Sequence, residues 1–129
     1  MRHLFLILLF ISSLFSFEWS AEYDEALVKA KQEKKGVYVF VGTANCPFCE
    51  KLKETTFSDD EVIKKLEKEY ELIYLSIDID DIPSHLNIRF YPAHYFLDSD
   101  GKIIYSTAGY KGKKCFLELL KDVKEFKTL

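Results

Sequence analysis

Two cysteines, Cys46 and Cys49, stand three positions apart in the stretch NCPFCEK, with Pro47 and Phe48 between them. A pair with this spacing is suited to three kinds of chemistry: reversible thiol–disulfide exchange, part of a metal site, or a structural cross-link. The segments around the pair, and the other reactive or ligating side chains of the chain, decide among these interpretations.

The metal and cross-link interpretations are the weaker ones. One C-x-x-C supplies two ligands, whereas a closed zinc site needs four. Beyond the first residues only His85 and His94 remain, each alone in its segment, and we interpret both as surface or strand residues. A disulfide that closes so short a loop restricts little unfolded-state entropy, and a domain of this length can fold without one. We therefore predict no metal ligands and no cofactor beyond a redox-active Cys46–Cys49 disulfide.

The composition is that of one ordinary globular domain. The chain has 129 residues, of which 48% are hydrophobic and 30% charged, and its formal net charge is −3. Lysines and acidic residues are interleaved in most segments, which indicates a solvated surface. Nucleic-acid binding is therefore not expected.

The first residues differ in kind from the rest. Arg2 and His3 precede the apolar run LFLILLFISSLFSF. This run is shorter than the roughly 20 residues that a membrane-spanning helix needs. The pattern predicts a secretory signal peptide over residues 1–16, cleaved after Ser16, and a mature domain over residues 17–129 in the periplasm. The alternative is an uncleaved anchor that holds the domain on the membrane, facing the periplasm.

Apolar periodicity predicts helices and strands in alternation around the cysteines. The segment SAEYDEALVKAKQEKK predicts a helix that Ser20 caps and Gly36 ends. The run VYVFVG predicts a strand buried on both faces, which leads into a helix that begins at the cysteines. A third helix follows, with Ser58 and Glu61 at the spacing of a capping box.

The second half of the chain predicts the rest of a sheet. The run ELIYLSIDI predicts a second buried strand, parallel to the first because helices connect the two. The runs AHYFLD and KIIYST flank SDG and predict a hairpin, and a last helix begins near Lys111. The sequence therefore predicts an α/β domain with a central mixed sheet and helices on both faces.

The order of these features resembles that of the thioredoxin superfamily. A strand runs into C-x-x-C at the start of a helix, and the later segment IRFYPAHYFLDSDGK looks like the one in which a cis-proline precedes the final hairpin. The segment NCPFCEKLKETTFSD resembles secreted bacterial thioredoxin-like proteins of thiol–disulfide interchange. The resemblance implies a thioredoxin fold with an extra N-terminal helix. It also implies that Pro92 is the cis-proline and that the backbone of Tyr91 pairs with bound substrate.

The helix start explains why this chemistry needs these residues. Unpaired N–H groups and the helix dipole favour an anion there, so a Cys46 thiol with a pKa lowered to about 6.5 would be mostly thiolate at neutral pH. Pro47 suits the first turn, because an N–H at that position has no partner within the helix and its loss costs nothing. Phe48, the other residue between the cysteines, is predicted to support the active site. Cys46 is the predicted nucleophile, and Cys49, one turn on and more buried, the predicted resolving thiol.

Two residues depart from the thioredoxin pattern. Phe40 occupies the position of the buried acid that assists proton transfer at the second cysteine, and the adjacent Glu50 is only a weak substitute. Tyr91 is large where the family has a small or β-branched residue, which would narrow the substrate groove. Cys115, at the start of the last helix, is expected to be a partly buried structural thiol.

The resulting prediction is a periplasmic thiol–disulfide oxidoreductase, acting as a monomer on protein disulfides. We favour a reductase that a membrane thiol electron carrier keeps reduced, although oxidase and isomerase share this kind of site. One alternative is a glutaredoxin-like reductase, because C-P-F-C resembles the glutaredoxin C-P-Y-C. Another is a non-enzymatic thioredoxin-fold module that binds copper or a partner protein.

Overall fold

The computed structural model describes residues 19–129, so the predicted signal peptide, residues 1–16, lies outside the described residues. The helices and strands follow one another in the order α1 (Tyr23–Glu33), β1 (Gly36–Gly42), α2 (Pro47–Glu54), α3 (Asp60–Glu69), β2 (Tyr70–Ser76), β3 (Ala93–Leu97), β4 (Ile103–Ala108) and α4 (Lys113–Lys127). Within residues 19–129, none of the helices combines the length and the apolar character needed to cross a membrane.

The strands form one mixed sheet in the order β2-β1-β3-β4. β1 and β2 are parallel, and β3 is antiparallel to both β1 and β4. In this register Phe40 lies between Tyr74 on β2 and His94 on β3. The carboxyl ends of β1 and β2 therefore meet at one edge of the sheet, and the two cysteines follow β1 at that edge.

Alternate residues of β1 face opposite sides of the sheet, and both sides are covered by helices. Val39 and its neighbours on that face pack with Ala26 and Ala30 of α1. Tyr38 and Phe40 pack on the other face with residues of α2, α3 and α4. Because both faces are covered, β1 reads as a continuous apolar run. The predicted α/β fold, with its mixed sheet and extra N-terminal helix, is confirmed.

The start of α1 differs from the prediction. Ser20 does not cap this helix, because its backbone pairs with β2: its N–H donates to the carbonyl of Leu72, and its carbonyl accepts from the N–H of Tyr74. The chain is thus still extended at Ser20, and the helix begins at Tyr23. At the other end Lys34 adopts the left-handed conformation and ends the helix, while Gly36 is already part of β1.

The cap of α3 also differs from the predicted capping box. Asp59 is the N-cap, and its carboxylate accepts hydrogen bonds from the N–H groups of Glu61 and Val62. The Ser58 hydroxyl instead donates to the carbonyls of Glu54 and Thr55 at the end of the preceding helix. Sequence spacing alone did not separate two adjacent residues that can both cap a helix.

The predicted hairpin of β3 and β4 is present. Its turn is held by the Asp98 carboxylate, which accepts hydrogen bonds from the N–H groups of Asp100 and Lys102 at 2.9 and 3.0 Å. Gly101 has a φ of +84°, a conformation that favours glycine. The turn connects β3 to β4, which pair as antiparallel neighbours.

Candidate active site

The two cysteines lie where the sequence predicted them, at the start of α2, and they form a disulfide with Sγ atoms 2.05 Å apart. Cys46 is the N-cap residue of α2 and Pro47 occupies its first turn. The N–H of Cys49 donates a hydrogen bond to Sγ of Cys46 at 3.1 Å. The sulfur of Cys46 thus takes the position of a helix-capping acceptor, where negative charge is favoured.

The two sulfur-bearing residues differ in access to solvent. Cys46 is 8% exposed and Cys49 is fully buried, whereas Pro47 and Phe48 are exposed. Cys46 is therefore the more exposed of the two cysteines, and it is followed directly by the exposed Pro47 and Phe48. The arrangement places one slightly exposed cysteine and one fully buried cysteine within a single helical turn.

A carboxylate from the neighbouring strand end holds the loop that precedes Cys46. Oδ2 of Asp78 accepts hydrogen bonds from the Thr43 hydroxyl at 2.9 Å and from the Ala44 N–H at 2.6 Å. Both hydrogen bonds lower the pKa of Asp78, and the one from the Ala44 backbone has the larger effect. Sequence analysis missed this residue. The sequence did contain a signal for it, because Asp78 comes just after a strand that is parallel to β1. Parallel strands end at the same edge of a sheet, so this acid was bound to lie near the loop after β1.

The segment before β3 carries the second predicted part of the site. The Tyr91–Pro92 peptide bond is cis. Pro92 is buried, and its carbonyl accepts a hydrogen bond from the N–H of Gly109 at 2.7 Å. Tyr91 is half-buried, and the preceding Phe90, which sequence analysis did not single out, is 70% exposed.

The position that departs from the thioredoxin pattern is packed among aromatic side chains. Phe40 is buried, and its ring lies 4.9 Å from that of Tyr74 and 5.3 Å from that of Phe57, measured between ring centres. Trp19 packs on the same ring at 6.1 Å. Phe40 therefore offers no acceptor for a proton.

His94 is a buried strand residue with both ring nitrogens in use. Its Nε2 lies 2.9 Å from the carbonyl oxygen of Gly109. A carbonyl only accepts, so Nε2 carries the hydrogen, and Nδ1 accepts from the Tyr38 hydroxyl at 2.6 Å. Burial lowers the pKa of His94 to about 4. The neutral ring therefore links β1, β3 and the residue that follows β4.

The other residues considered from the sequence lie elsewhere. His85 contacts Tyr23 and the carbonyl of Gly101, remote in the chain from the cysteines. Cys115 is exposed on α4, which corrects the expectation of a partly buried thiol: Phe116, the next residue, is the one that turns into the core. Among residues 19–129, no cluster of three or more His, Cys, Asp or Glu side chains is arranged to hold a metal ion.

A mixed four-stranded sheet with helices on both faces, and a disulfide of the C-x-x-C type at the start of α2, define a thioredoxin-fold protein of the thiol–disulfide oxidoreductase class. A family model described as a thioredoxin-like domain matches residues 23–124. The chain belongs to this family.

Comparison with known proteins agrees with this assignment. The chain is 30% identical over 101 residues to an uncharacterised protein of Archaeoglobus fulgidus, covering 74% of this chain and 77% of that one. It is 32% identical over 81 residues to anterior gradient protein 2 of Xenopus tropicalis, covering 63% of this chain and 49% of the relative. The match thus spans about half the length of that relative.

Among solved structures, the DsbH oxidoreductase superimposes with a TM-score of 0.70 at 18% identity, covering 84% of this chain and 85% of that one. At this identity the likeness concerns the fold.

Proposed function

We propose that this protein reduces disulfides in client proteins by dithiol–disulfide exchange at Cys46 and Cys49. The observation that carries the proposal is the asymmetry of the pair. Cys46 retains 8% exposure and its sulfur accepts the N–H of Cys49, whereas Cys49 is fully buried one turn further on. A nucleophile needs access and a stabilised thiolate, and a resolving thiol needs protection from other reactions.

In this proposal the reduced Cys46 thiolate attacks one sulfur of a client disulfide, and the other client sulfur leaves as a thiolate. Cys49 then attacks Sγ of Cys46 in the mixed disulfide, which releases the client in its reduced form and leaves the Cys46–Cys49 disulfide. The disulfide state of the structure is the product of this half-reaction. No further cofactor takes part.

The client binds next to the cysteines, along the segment that ends at Pro92. Tyr91 offers its backbone for pairing with an extended client segment, as the thioredoxin resemblance implies, and Pro92 shapes the groove. Phe48 and Phe90, which are 59% and 70% exposed, supply apolar contact area for the client chain. Large apolar side chains that remain exposed near a reactive group are typical of a binding surface.

The proposed location is the periplasm, with residues 1–16 as signal peptide and residues 17–129 as the mature, monomeric domain. The support is the basic start of the chain followed by a short apolar run. An uncleaved anchor would leave the domain on the same side of the membrane. A membrane thiol electron carrier would return the Cys46–Cys49 pair to the reduced state.

Trapping of mixed disulfides tests the assigned roles. Cys49→Ser should accumulate covalent complexes with client proteins, because the first attack succeeds and resolution fails. Cys46→Ser should accumulate almost none, and Cys115→Ser, which removes the exposed thiol outside the site, should behave as wild type. Non-reducing gels of a periplasmic extract provide the readout. Equal trapping by Cys46→Ser and Cys49→Ser would contradict the assignment.

A further inference from the structure

A phenol and the buried sulfur of the site border the same small space beside Gly42. A β-carbon placed on Gly42 would lie 3.1 Å from the hydroxyl oxygen of Tyr74 and 3.3 Å from Sγ of Cys49. The two atoms come from different elements, since Tyr74 is on β2 and Cys49 is on α2. Any side chain at position 42 would crowd both atoms, so glycine is what allows them to share this space.

The phenol is associated with a cation from α2. The ammonium group of Lys53 lies 4.2 Å from the centre of the Tyr74 ring, and it also forms an ion pair with Glu50 at 3.1 Å. Burial lowers the pKa of Lys53, but hydrogen bonding to Tyr74 and Glu50 raises it by more, so the pKa lies above its usual value. Lys53 is therefore charged at neutral pH, and its charge makes the Tyr74 hydroxyl a stronger hydrogen-bond donor.

The resolving step creates a need for such a donor. Cys49 is fully buried, and burial in apolar surroundings disfavours the thiolate that must form before Cys49 can attack. Phe40, at the position where the thioredoxin resemblance places an acid, cannot take part in proton transfer. The Tyr74 ring packs directly on Phe40, with ring centres 4.9 Å apart, and carries its hydroxyl to the side of Cys49.

We propose that the Tyr74 hydroxyl, supported by the Lys53 ammonium group, stabilises the negative charge that develops on Sγ of Cys49 during resolution. The inference rests on the proposed exchange at Cys46 and Cys49. The Cys49 thiol loses its proton to solvent, and the thiolate bonds to Sγ of Cys46. The bond between Cys46 and the client sulfur breaks, and the client leaves as a thiolate that takes up a proton. The client sulfur is reduced, and the two protein cysteines are oxidised to the disulfide.

Other ionisable groups near the site are already engaged. Glu50 on α2 is exposed and paired with Lys53. Asp78, beyond the end of β2, accepts from the Thr43 and Ala44 loop. His94 on β3 is held by Tyr38 and Gly109 on the far side of the Phe40 ring. The pH dependence of resolution should therefore follow the ionisation of the Cys49 thiol.

The test measures the Cys49 thiol directly, in a Cys46→Ser, Cys115→Ser background where it is the only cysteine. The 13Cβ chemical shift of this cysteine, followed by NMR on selectively labelled protein from pH 6 to 10, gives its pKa without requiring a reagent to reach the buried sulfur. Adding Tyr74→Phe keeps the ring and removes only the hydroxyl, and should raise this pKa by about 1 unit, the value of one hydrogen bond to a charged group. Lys53→Met should raise the Cys49 pKa as well, whereas Lys53→Arg, which keeps the positive charge, should leave it near the value found with Lys53.

Tyr105→Phe is the matched control, because Tyr105 lies on β4 and packs against Phe96 and Phe126. It should leave the Cys49 pKa unchanged. Thermal unfolding of each variant shows that the fold is intact. An unchanged pKa in a folded Tyr74→Phe variant would overturn the inference.

The kinetic arm separates this inference from the proposed function. In the otherwise wild-type protein, Tyr74→Phe should slow resolution of a preformed mixed disulfide about tenfold at pH 7 and leave its formation unaffected. If the wild-type protein fails to exchange disulfides, the proposed function fails, and the pKa measurement still decides the inference. If the wild-type protein exchanges and Tyr74→Phe resolves equally fast, the inference alone fails.

Discussion

The backbone N–H of Cys49 donates a hydrogen bond to Sγ of Cys46 at 3.1 Å, so the first cysteine caps the helix that contains the second. In the reduced protein the same N–H is available to a Cys46 thiolate, together with the partial positive charge of the helix start. We therefore expect Cys46, which follows β1 and precedes the first residue of α2, to be the reactive cysteine.

Reduced Cys46 should have a pKa near 6.5, about 2 units below that of a free cysteine. Thiolate absorbance at 240 nm, recorded against pH in a Cys49→Ser, Cys115→Ser background, measures it. The same variant unfolded in urea is the control and should titrate near 8.5. A pKa of 8 or above in the folded variant would show that the helix start does not activate this thiol.

Asp78→Ala should release the loop of Thr43 and Ala44 and so misplace Cys46. We expect slower reduction of a small disulfide, by about tenfold, which is well within the cost of moving a reacting group by a fraction of an ångström. Asp78→Asn, which keeps one acceptor oxygen, should lose less. Asp81→Ala removes an exposed acid of the same segment and should have no effect. If Asp78→Ala and Asp81→Ala react at the same rate, the loop does not depend on this carboxylate.

His94 should make the free energy of unfolding depend on pH at values above those at which most carboxylates titrate. Burial lowers its pKa to about 4, whereas an unfolded histidine has a pKa of about 6.5, so the unfolded state takes up the proton first as the pH falls. The contribution of neutral His94 to the free energy of unfolding is complete above pH 6.5 and is lost as the pH falls from 6.5 to 4. Between pH 7 and pH 5 the loss should be about 2 kcal/mol.

Urea unfolding at pH 7, 6 and 5 measures this change. His94→Gln should be less stable at pH 7 and should lack the histidine part of the pH dependence. His85→Gln removes the other histidine of the described residues and should retain it. A wild-type protein and a His94→Gln variant with the same pH dependence would argue against a buried neutral His94.

Phe90→Ser should weaken the binding of protein clients. Phe90 is 70% exposed and lies two residues before Pro92, and we expect KM for a protein disulfide to rise about tenfold, with little change in kcat. Phe126→Ser removes an exposed aromatic side chain of α4 and serves as the matched control. Insulin reduction gives both constants. The same KM for wild type and Phe90→Ser would place client binding elsewhere.

The Cys46–Cys49 disulfide and the cis peptide bond before Pro92 were predictable from the sequence because their signals are local. C-x-x-C at the end of an apolar run, and a proline before a hairpin signal, keep their meaning without knowledge of the tertiary structure. Segment ends were less certain, because they depend on tertiary contacts. Ser20 has the chemistry of a helix cap, but its backbone is used by β2.

Asp78, Tyr74 and Lys53 were not predictable in the same way. Their roles depend on β2 lying directly beside β1, so that side chains from a later strand reach the loop and helix around the cysteines. The exposure of Cys115 was also undetermined, because neighbouring helical positions differ in burial according to the exact rotation of α4. The sequence contains these residues, but their partners are far from them along the chain.

The most direct test of the central claim is the reduction potential of the Cys46–Cys49 pair, titrated against glutathione or dithiothreitol buffers. The helix start favours the Cys46 thiolate, but no charged residue lies between the cysteines, and Phe40 removes a buried acid that would oppose the thiolate. We predict a value of roughly −180 to −250 mV, between thioredoxin-like and strongly oxidising sites. A value near about −120 mV would contradict a reductase, and a pair that forms no reversible disulfide would contradict exchange altogether.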